Sequence, residues 1–357
     1  KESKLAASSQ GLKVKYLRSQ SSLSRTSGGT VVTEKSAVPS DIDIDEMRPA
    51  GSIMVEHSRP ASQFFEFKEK LGEGGFGQVW LARRIGSAQH VAIKRIPRKN
   101  IKDIERFSRE IRAFERMTNP YIAMLHEVYQ EHDQMNMVMD LCTGGDLAQY
   151  LWTCTDNENG NYRDDGGPPP KLFKVKGLPP NTVGALLWQM LAGIAYMHHH
   201  RYMHRDIKLE NYMLKDPTTR TLQLVDFGLA TRFTKGQKHF DTKGTPAYMA
   251  PEVILKCYDE KCDIWSIGIV CFILCVADIP WDDCCSTDMK SLVVNDVRSS
   301  YIEDHQHLPK ELIHLINALM QRAGSLRPGA KDVIRHSEWL RQFGRRDEPK
   351  QKCCAIS

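Results

Sequence analysis

Between residues 204 and 228 the chain sets two acids and an amide on neighbouring loops, and this arrangement limits what the rest of it can be. His204-Arg205-Asp206-Ile207-Lys208-Leu209-Glu210-Asn211 is followed, after one short predicted hairpin, by Asp226-Phe227-Gly228. An acid near an attacking hydroxyl, a lysine two positions on, and an amide with a second acid able to hold a divalent cation are the parts that phosphoryl transfer needs. Such chemistry is mostly positioning and charge neutralisation. Upstream, Gly72-x-Gly74-x-x-Gly77 interrupts an apolar strand pattern, and Val91-Ala92-Ile93-Lys94 reads as the next apolar strand. Glycines let two strands turn tightly while backbone N–H groups come close to phosphate oxygens. That loop is a weak signal alone; Lys94 behind it makes it a strong one.

Taken together, these motifs resemble the eukaryotic protein kinases. The resemblance runs on through Gly244-Thr245-Pro246-Ala247-Tyr248, Ala250-Pro251-Glu252 and Asp263-Ile264-Trp265-Ser266-Ile267-Gly268. It implies an α+β fold of two lobes over residues 63–343, with a small β-rich lobe at 63–139 and a larger helical lobe at 143–343. It also implies ATP and Mg²⁺ as cofactors. Asp206 would be the catalytic base, Lys208 would steady the transferring phosphoryl group, and Asn211 with Asp226 would hold the metal. Lys94 would reach the α- and β-phosphates, oriented by Glu110 from a helix whose apolar positions Ile104, Phe107, Ile111 and Phe114 keep helical spacing. Gly72, Gly74 and Gly77 would cover the phosphates. Leu71, Val79, Ala92 and Met213 would sandwich the adenine, with Met139 behind it and backbone groups of Asp140 and Cys142 along its edge. Thr245 would bond Asp206 and Lys208, a mark, like Lys208 itself, of the serine/threonine group. Asp263 would accept hydrogen bonds from the catalytic-loop backbone, and Arg327 would pair with Glu252.

Two further sets of residues bear on regulation and substrate choice. Asp241 stands four residues before Thr245, where relatives that need loop phosphorylation carry Thr or Ser; its carboxylate would pair with Arg205, and Thr242 is the alternative by one residue of register. A carboxylate carries about one negative charge where a phosphate carries roughly 1.5 to 2, so basal activity without modification is expected. Asp146, after Gly144-Gly145, and Glu210 stand where basophilic members receive an arginine upstream of the target hydroxyl. The large lobe looks most like the calcium/calmodulin-dependent and calcium-dependent kinases. No EF-hand pattern follows it in the sequence given, so no intrinsic calcium-binding module is expected. The second functional reading is a membrane-tethered pseudokinase scaffold that binds nucleotide without transferring phosphate.

The resemblance implies proteins with Ser or Thr as partners. A net charge of +5 over 357 residues is mild and scattered, which argues against nucleic acid. Ten cysteines without a CxxC pair suit free thiols in a reducing cytoplasm. The apolar run from Ile264 to Ile279 is too short to span a bilayer and reads as a buried helix. Residues 1–62 are Ser-rich without sustained periodicity and read as a disordered tail. An insertion of loop-forming residues is expected at about 153–178. Residues 344–357 form a C-terminal tail ending Cys353-Cys354-Ala355-Ile356-Ser357, which fits a farnesyl-type prenylation box at Cys354 with Cys353 open to palmitoylation. Peripheral association with the cytoplasmic face of a membrane is the expectation, since one lipid chain binds only marginally and a second signal adjoins it.

Overall fold

A computed structural model describes residues 54–56, 59–74, 77–101, 111, 114, 115, 117–156, 177–280 and 308–344. Its smaller lobe is a six-stranded sheet: β1 (Met54–Glu56), β2 (Phe65–Gly74), β3 (Gly77–Arg84), β4 (His90–Pro97), β5 (Leu125–Gln130) and β6 (Gln134–Met139). The spatial order is β1-β5-β6-β4-β3-β2. All pairings are antiparallel except β1 with β5. The Ser-rich tail expected through residue 62 therefore ends sooner. Met54-Val55-Glu56 adds a parallel edge strand, and a short 3₁₀ turn at Ala61–Gln63 buries Ala61 completely. The signal missed there was brief, because three residues cannot establish a period.

Side-chain alternation decides which face of this sheet meets the other lobe. Phe65, Ala82, Val91, Ile93, Tyr129 and Val138 pack with Ala61 on one face. Directly paired residues share a face, and the register pairs Val79 with Lys94, Ala92 with Met139, and Lys94 with Met137. Val79, Ala92, Lys94 and Met139 therefore project from the opposite face.

The larger lobe is built on two buried helices. Helix α2 (Pro180–His199) follows α1 (Leu147–Asp156); α4 (Lys261–Val276) follows the single-turn α3 (Pro251–Ile254). In α2, Leu186, Leu187, Met190, Leu191, Ile194 and Met197 are buried, as their spacing predicts. The apolar run in α4 is buried from Cys262 to Cys275, which is why it looks apolar all round. Three shorter helices, α5 (Lys310–Leu319), α6 (Ala330–His336) and α7 (Glu338–Arg341), complete the lobe. Among the described residues no helix is long and apolar enough to cross a membrane.

The expected insertion is narrower than its composition suggests. Helix α1 continues to Asp156 because Leu147, Leu151 and Cys154 keep an apolar stripe at helical spacing, the first two fully buried. At the far end Leu178 is buried and its N–H donates to the Leu274 carbonyl of α4 at 2.7 Å. Residues 157–176 lie outside the described residues.

One charged pair braces the lobe as expected. The Arg327 guanidinium, fully buried, donates to both Glu252 oxygens at 2.5 and 2.8 Å, to the carbonyls of Gln321 and Lys261, and lies 5.1 Å over the Trp265 ring. Removing one member of such a pair strands the other, at a cost of about 3–5 kcal/mol.

Candidate active site

The cleft between the lobes is organised from its floor. Asp263, at the start of α4 and 1% exposed, accepts from the backbone N–H of His204 and of Arg205, both at 2.8 Å, and meets His198 Nε2 at 2.9 Å. Burial pushes the Asp263 pKa up, but the His198 hydrogen bond, the neighbouring histidines and the backbone donor bring it below the ordinary carboxylate range. An ionised acceptor therefore faces the loop. Arg205 is left with φ +69°, an unusual conformation for a residue with a side chain. The expectation for Asp263 holds; His198 was overlooked, since the His198-His199-His200 run reads as an ordinary helix end.

His204 is buried, which lowers its pKa and keeps the ring neutral. Its Nδ1 accepts from the Asp206 N–H at 3.3 Å and its Nε2 lies 3.3 Å from the Val225 carbonyl, so the proton belongs on Nε2. The ring also packs edge-on against Phe227, 5.0 Å between centroids, and Phe227 meets Phe114 at 3.5 Å. A chain of rings thus joins the catalytic loop to the smaller lobe.

The groups expected to react converge around Asp206. Thr245 Oγ1 donates to Asp206 Oδ1 at 2.6 Å, Lys208 Nζ lies 3.0 Å from Asp206 Oδ2, and Lys208 Nζ donates to Thr245 Oγ1 at 3.1 Å. Gly244 makes that approach possible: its φ is +119°, and a Cβ there would stand 2.6 Å from the Arg205 carbonyl oxygen. Asn211 Nδ2 donates to the Asp206 carbonyl at 2.8 Å and to its carboxylate at 3.3 Å. With its nitrogen so engaged, the amide oxygen is the end suited to a hard cation.

Across the cleft, Lys94 Nζ lies 2.5 Å from Asp226 Oδ1, joining the lobes. Asp226 has φ +59°. Burial works to raise its pKa, but the charge and hydrogen bond of Lys94 hold it below the usual range, leaving an ionised oxygen ligand one residue past Val225, whose N–H donates to the Asn211 carbonyl at 2.9 Å. The donor set of one carboxylate and one amide fits Mg²⁺, which prefers oxygen and keeps water ligands. Glu110 lies outside the described residues.

Of the positions expected around the nucleotide, Val79, Ala92 and Met139 share the sheet face that carries Lys94. Leu71, Ala92 and Cys142 are buried, and Val79, Met139 and Met213 are half-buried. The two-residue β7 (Tyr202–Met203) precedes the catalytic loop and β8 (Tyr212–Leu214) follows it; Met213 on β8 is bridged to Asp146 beyond the hinge. β2 and β3 close at the pair Gly72↔Val79 and then Gly74↔Gly77. Gly77 has φ +153°, and a side chain there would collide with the Arg95 carbonyl. Asp140 N–H donates to the Met124 carbonyl at 3.0 Å, fixing the start of the hinge.

Of the two regulatory positions, Asp241 meets Arg205, whose NH1 reaches its oxygens at 3.1 and 3.3 Å, while Thr242 is exposed. A partner absent from the sequence reading joins them. Tyr258 Oη donates to Asp241 Oδ1 at 2.7 Å and accepts from Arg205 NH1 at 3.2 Å. Backbone bonds between His239 and Tyr258 bring the two segments together.

Asp146 and Glu210 form an acidic recess. Asp146 is 5% exposed and caps α1 by accepting the Gln149 N–H at 2.8 Å. Burial, reinforced by the negative charge of Glu210, outweighs that hydrogen bond and raises its pKa to about 6. Glu210 Oε2 is buried without a hydrogen-bond partner among the described residues. Burial and then the charges of Glu210, Asp206 and Asp146 push the Tyr248 hydroxyl pKa up, so all three acids act on one region.

Comparison with known proteins agrees with this geometry. The protein kinase domain model matches residues 65–340. The chain is 27% identical over 323 residues to calcium-dependent protein kinase 4 of Plasmodium falciparum (isolate 3D7), covering 89% of this chain and 57% of that protein. It is 34% identical over 208 residues to calcium-dependent protein kinase 5 of Plasmodium berghei (strain Anka), covering 58% of this chain and 33% of that one. Serine/threonine-protein kinase PLK4 of Drosophila persimilis is 29% identical over 285 residues, or 78% of this chain and 34% of its own length. The chain spans between a third and a little over half of these relatives. With the family model covering both lobes and the cleft between them, the chain belongs to the protein kinase domain family.

Proposed function

We propose that the chain transfers the γ-phosphoryl group of ATP to Ser or Thr hydroxyls of protein substrates. The observation that carries this reading is the contact set Thr245–Asp206–Lys208, facing the Lys94–Asp226 pair across the cleft. Asp206 takes the proton of the attacking hydroxyl. Thr245 holds one Asp206 oxygen, Lys208 and Asn211 hold the other, and Lys208 is placed to offset charge on the oxygens of the moving group. Asn211 and Asp226 would hold Mg²⁺, which neutralises phosphate charge when bound. Lys94 supplies a cation from the sheet above. Gly72, Gly74 and Gly77 keep the hairpin close enough for backbone donors to cover phosphates. The relatives named above, two called calcium-dependent protein kinases and one a serine/threonine-protein kinase, support the choice of acceptor.

With Mg-ATP and a generic basic Ser peptide, the wild-type protein is expected to transfer phosphate, and Asp206→Asn and Asp226→Asn to lose it by roughly 100-fold or more. Nucleotide binding without transfer by the wild type would instead establish the scaffold reading.

Activity without phosphorylation of the activation segment is part of the same proposal, supported by the Arg205–Asp241–Tyr258 cluster. Unphosphorylated Asp241→Ala is expected to lose most of its activity and Tyr258→Phe part of it. Full activity in both would show that the cluster is not what orders the segment.

An upstream arginine preference is supported by Glu210 Oε2, which has no hydrogen-bond partner among the described residues, and by the crowded charge of Asp146. Replacing the upstream Arg of a peptide by Ala is expected to raise KM about tenfold or more. Asp146 carries a stability signature as well. A carboxyl whose pKa rises on folding adds stability at low pH, and that increment is lost as pH climbs from near the ordinary aspartate value of 3.8 through about 6. Asp146→Asn keeps the cap and removes the charge, so it is expected to be more stable than wild type at pH 7.5 by roughly 1–3 kcal/mol. The gap should close as pH falls below 6, and a gap independent of pH in urea titrations would contradict it.

Membrane association through Cys354, with Cys353 as a second acylation site, is supported by the Cys-Ala-Ile-Ser motif alone; both cysteines lie outside the described residues. Unchanged membrane fractionation of Cys354→Ser would refute it.

A further inference from the structure

A buried polar chain runs behind the hinge and touches none of the reacting groups. Its centre is Gln223, the middle residue of β9 (Leu222–Leu224), only 3% exposed between two fully buried leucines. Gln223 Nε2 donates to Asp140 Oδ2 at 3.1 Å, and Gln223 Oε1 accepts from Cys142 Sγ at 3.2 Å. The other oxygen of Asp140 meets His126 Nε2 at 2.8 Å, and Asp140 Oδ2 also accepts the Met124 N–H at 3.1 Å. Both ends of one amide are thus spent on the two hinge residues whose backbones are assigned to the adenine edge. Burial pushes the Cys142 thiol up to about 12, so it keeps the proton it donates.

Strand β9 is a rigid base for this contact. It pairs with β8, with Gln223 opposite Met213, and its other edge is tied by Leu224 N–H to the Tyr121 carbonyl at 2.9 Å and by Ala123 N–H to the Leu224 carbonyl at 3.0 Å. Val225 N–H then donates to the Asn211 carbonyl at 2.9 Å, and the next residue is Asp226. One short strand therefore leads into the candidate metal site at its end and grips the hinge from its middle. A buried amide without partners would be destabilising, and an apolar residue would suit this site if packing were its only demand.

We propose that Gln223 is a positioning residue for the nucleotide: it holds the backbones of Asp140 and Cys142 in fixed register with Asp226, so that adenine and phosphates are gripped at a set separation. This rests on the ATP-binding reading above. A residue serving stability alone would change the melting temperature and the active fraction without changing the affinity of the folded protein for nucleotide.

The test compares wild type with Gln223→Met, of similar length but without polar atoms, by calorimetric titration with ATP and with adenosine, by thermal melting and by steady-state transfer. Both dissociation constants and KM for ATP are expected to rise about tenfold, as befits the loss of hydrogen bonds worth about 1–1.5 kcal/mol. The KM for peptide and kcat at saturating ATP should stay within about twofold. If Gln223→Met does not fold, Gln223→Lys, which keeps a donor to Asp140 and removes the acceptor for Cys142, is expected to weaken ATP about threefold. Unchanged affinity in the folded variant, or a fall in kcat alone, would overturn the positioning role. A wild type that binds ATP but transfers nothing would refute the activity and leave Gln223 testable; one that binds no ATP would refute both.

Discussion

The Asp263 carboxylate, ionised and nearly sealed from solvent, is the constraint on which the cleft depends. Two consecutive backbone N–H groups of the catalytic loop end on its two oxygens, and a histidine from a separate helix steadies it. Consecutive N–H groups pointing at one acceptor require an uncommon backbone, which is why Arg205 adopts a left-handed conformation. Once that turn is made, the Asp206 carboxylate, the Arg205 guanidinium and the His204 ring leave the loop in three directions. They meet Thr245 and Lys208, Asp241 and Tyr258, and Phe227 respectively.

The two lobes are joined by contacts of different character. Lys94–Asp226 is an ion pair whose members are both assigned to ligand binding, so its geometry is expected to change as nucleotide and metal enter. The ring chain His204–Phe227–Phe114 is a set of edge-on aromatic contacts that uses none of the residues assigned to ligand binding. The polar clamp at Gln223 lies behind the hinge. Positioning of the kind phosphoryl transfer requires can thus be traced to three supports, each anchored in a buried element of the larger lobe.

Much of the site was legible because its chemistry demands particular residue types at fixed spacing. Asp206, Lys208, Asn211, Asp226, Lys94 and Thr245 were assigned from motifs; in the structure Asp206, Lys208, Asn211 and Thr245 form one hydrogen-bonded group and Lys94 with Asp226 a second. Asp263 and Arg327 were legible for the same reason. The residues that escaped notice act through long-range contacts that no local pattern announces. His198 reaches Asp263 from 65 positions away, and Gln223 reaches Cys142 across 81. Tyr258 reads as an ordinary core aromatic until its hydroxyl is found on Asp241. Composition misled at the edges of the fold. Met54–Glu56 is too short to show a period, and α1 hides its last turn inside a stretch rich in loop-forming residues. Asp146 was assigned to an upstream arginine of the substrate; burial and helix capping, which no motif announces, make it a charged group held at some cost, near a Glu210 oxygen that has no partner among the described residues.

The measurement that bears most directly on this dependence is single-turnover phosphoryl transfer by Asp263→Asn at saturating Mg-ATP, alongside ATP binding by the same protein. The amide must turn a donor toward a backbone donor, so the loop is expected to shift while the hinge and Lys94 stay in place. A transfer rate lowered roughly 100-fold, with ATP affinity within about threefold of wild type, is the expected result. Transfer at the wild-type rate would mean that the catalytic loop holds its shape without the buried carboxylate, and would contradict the account.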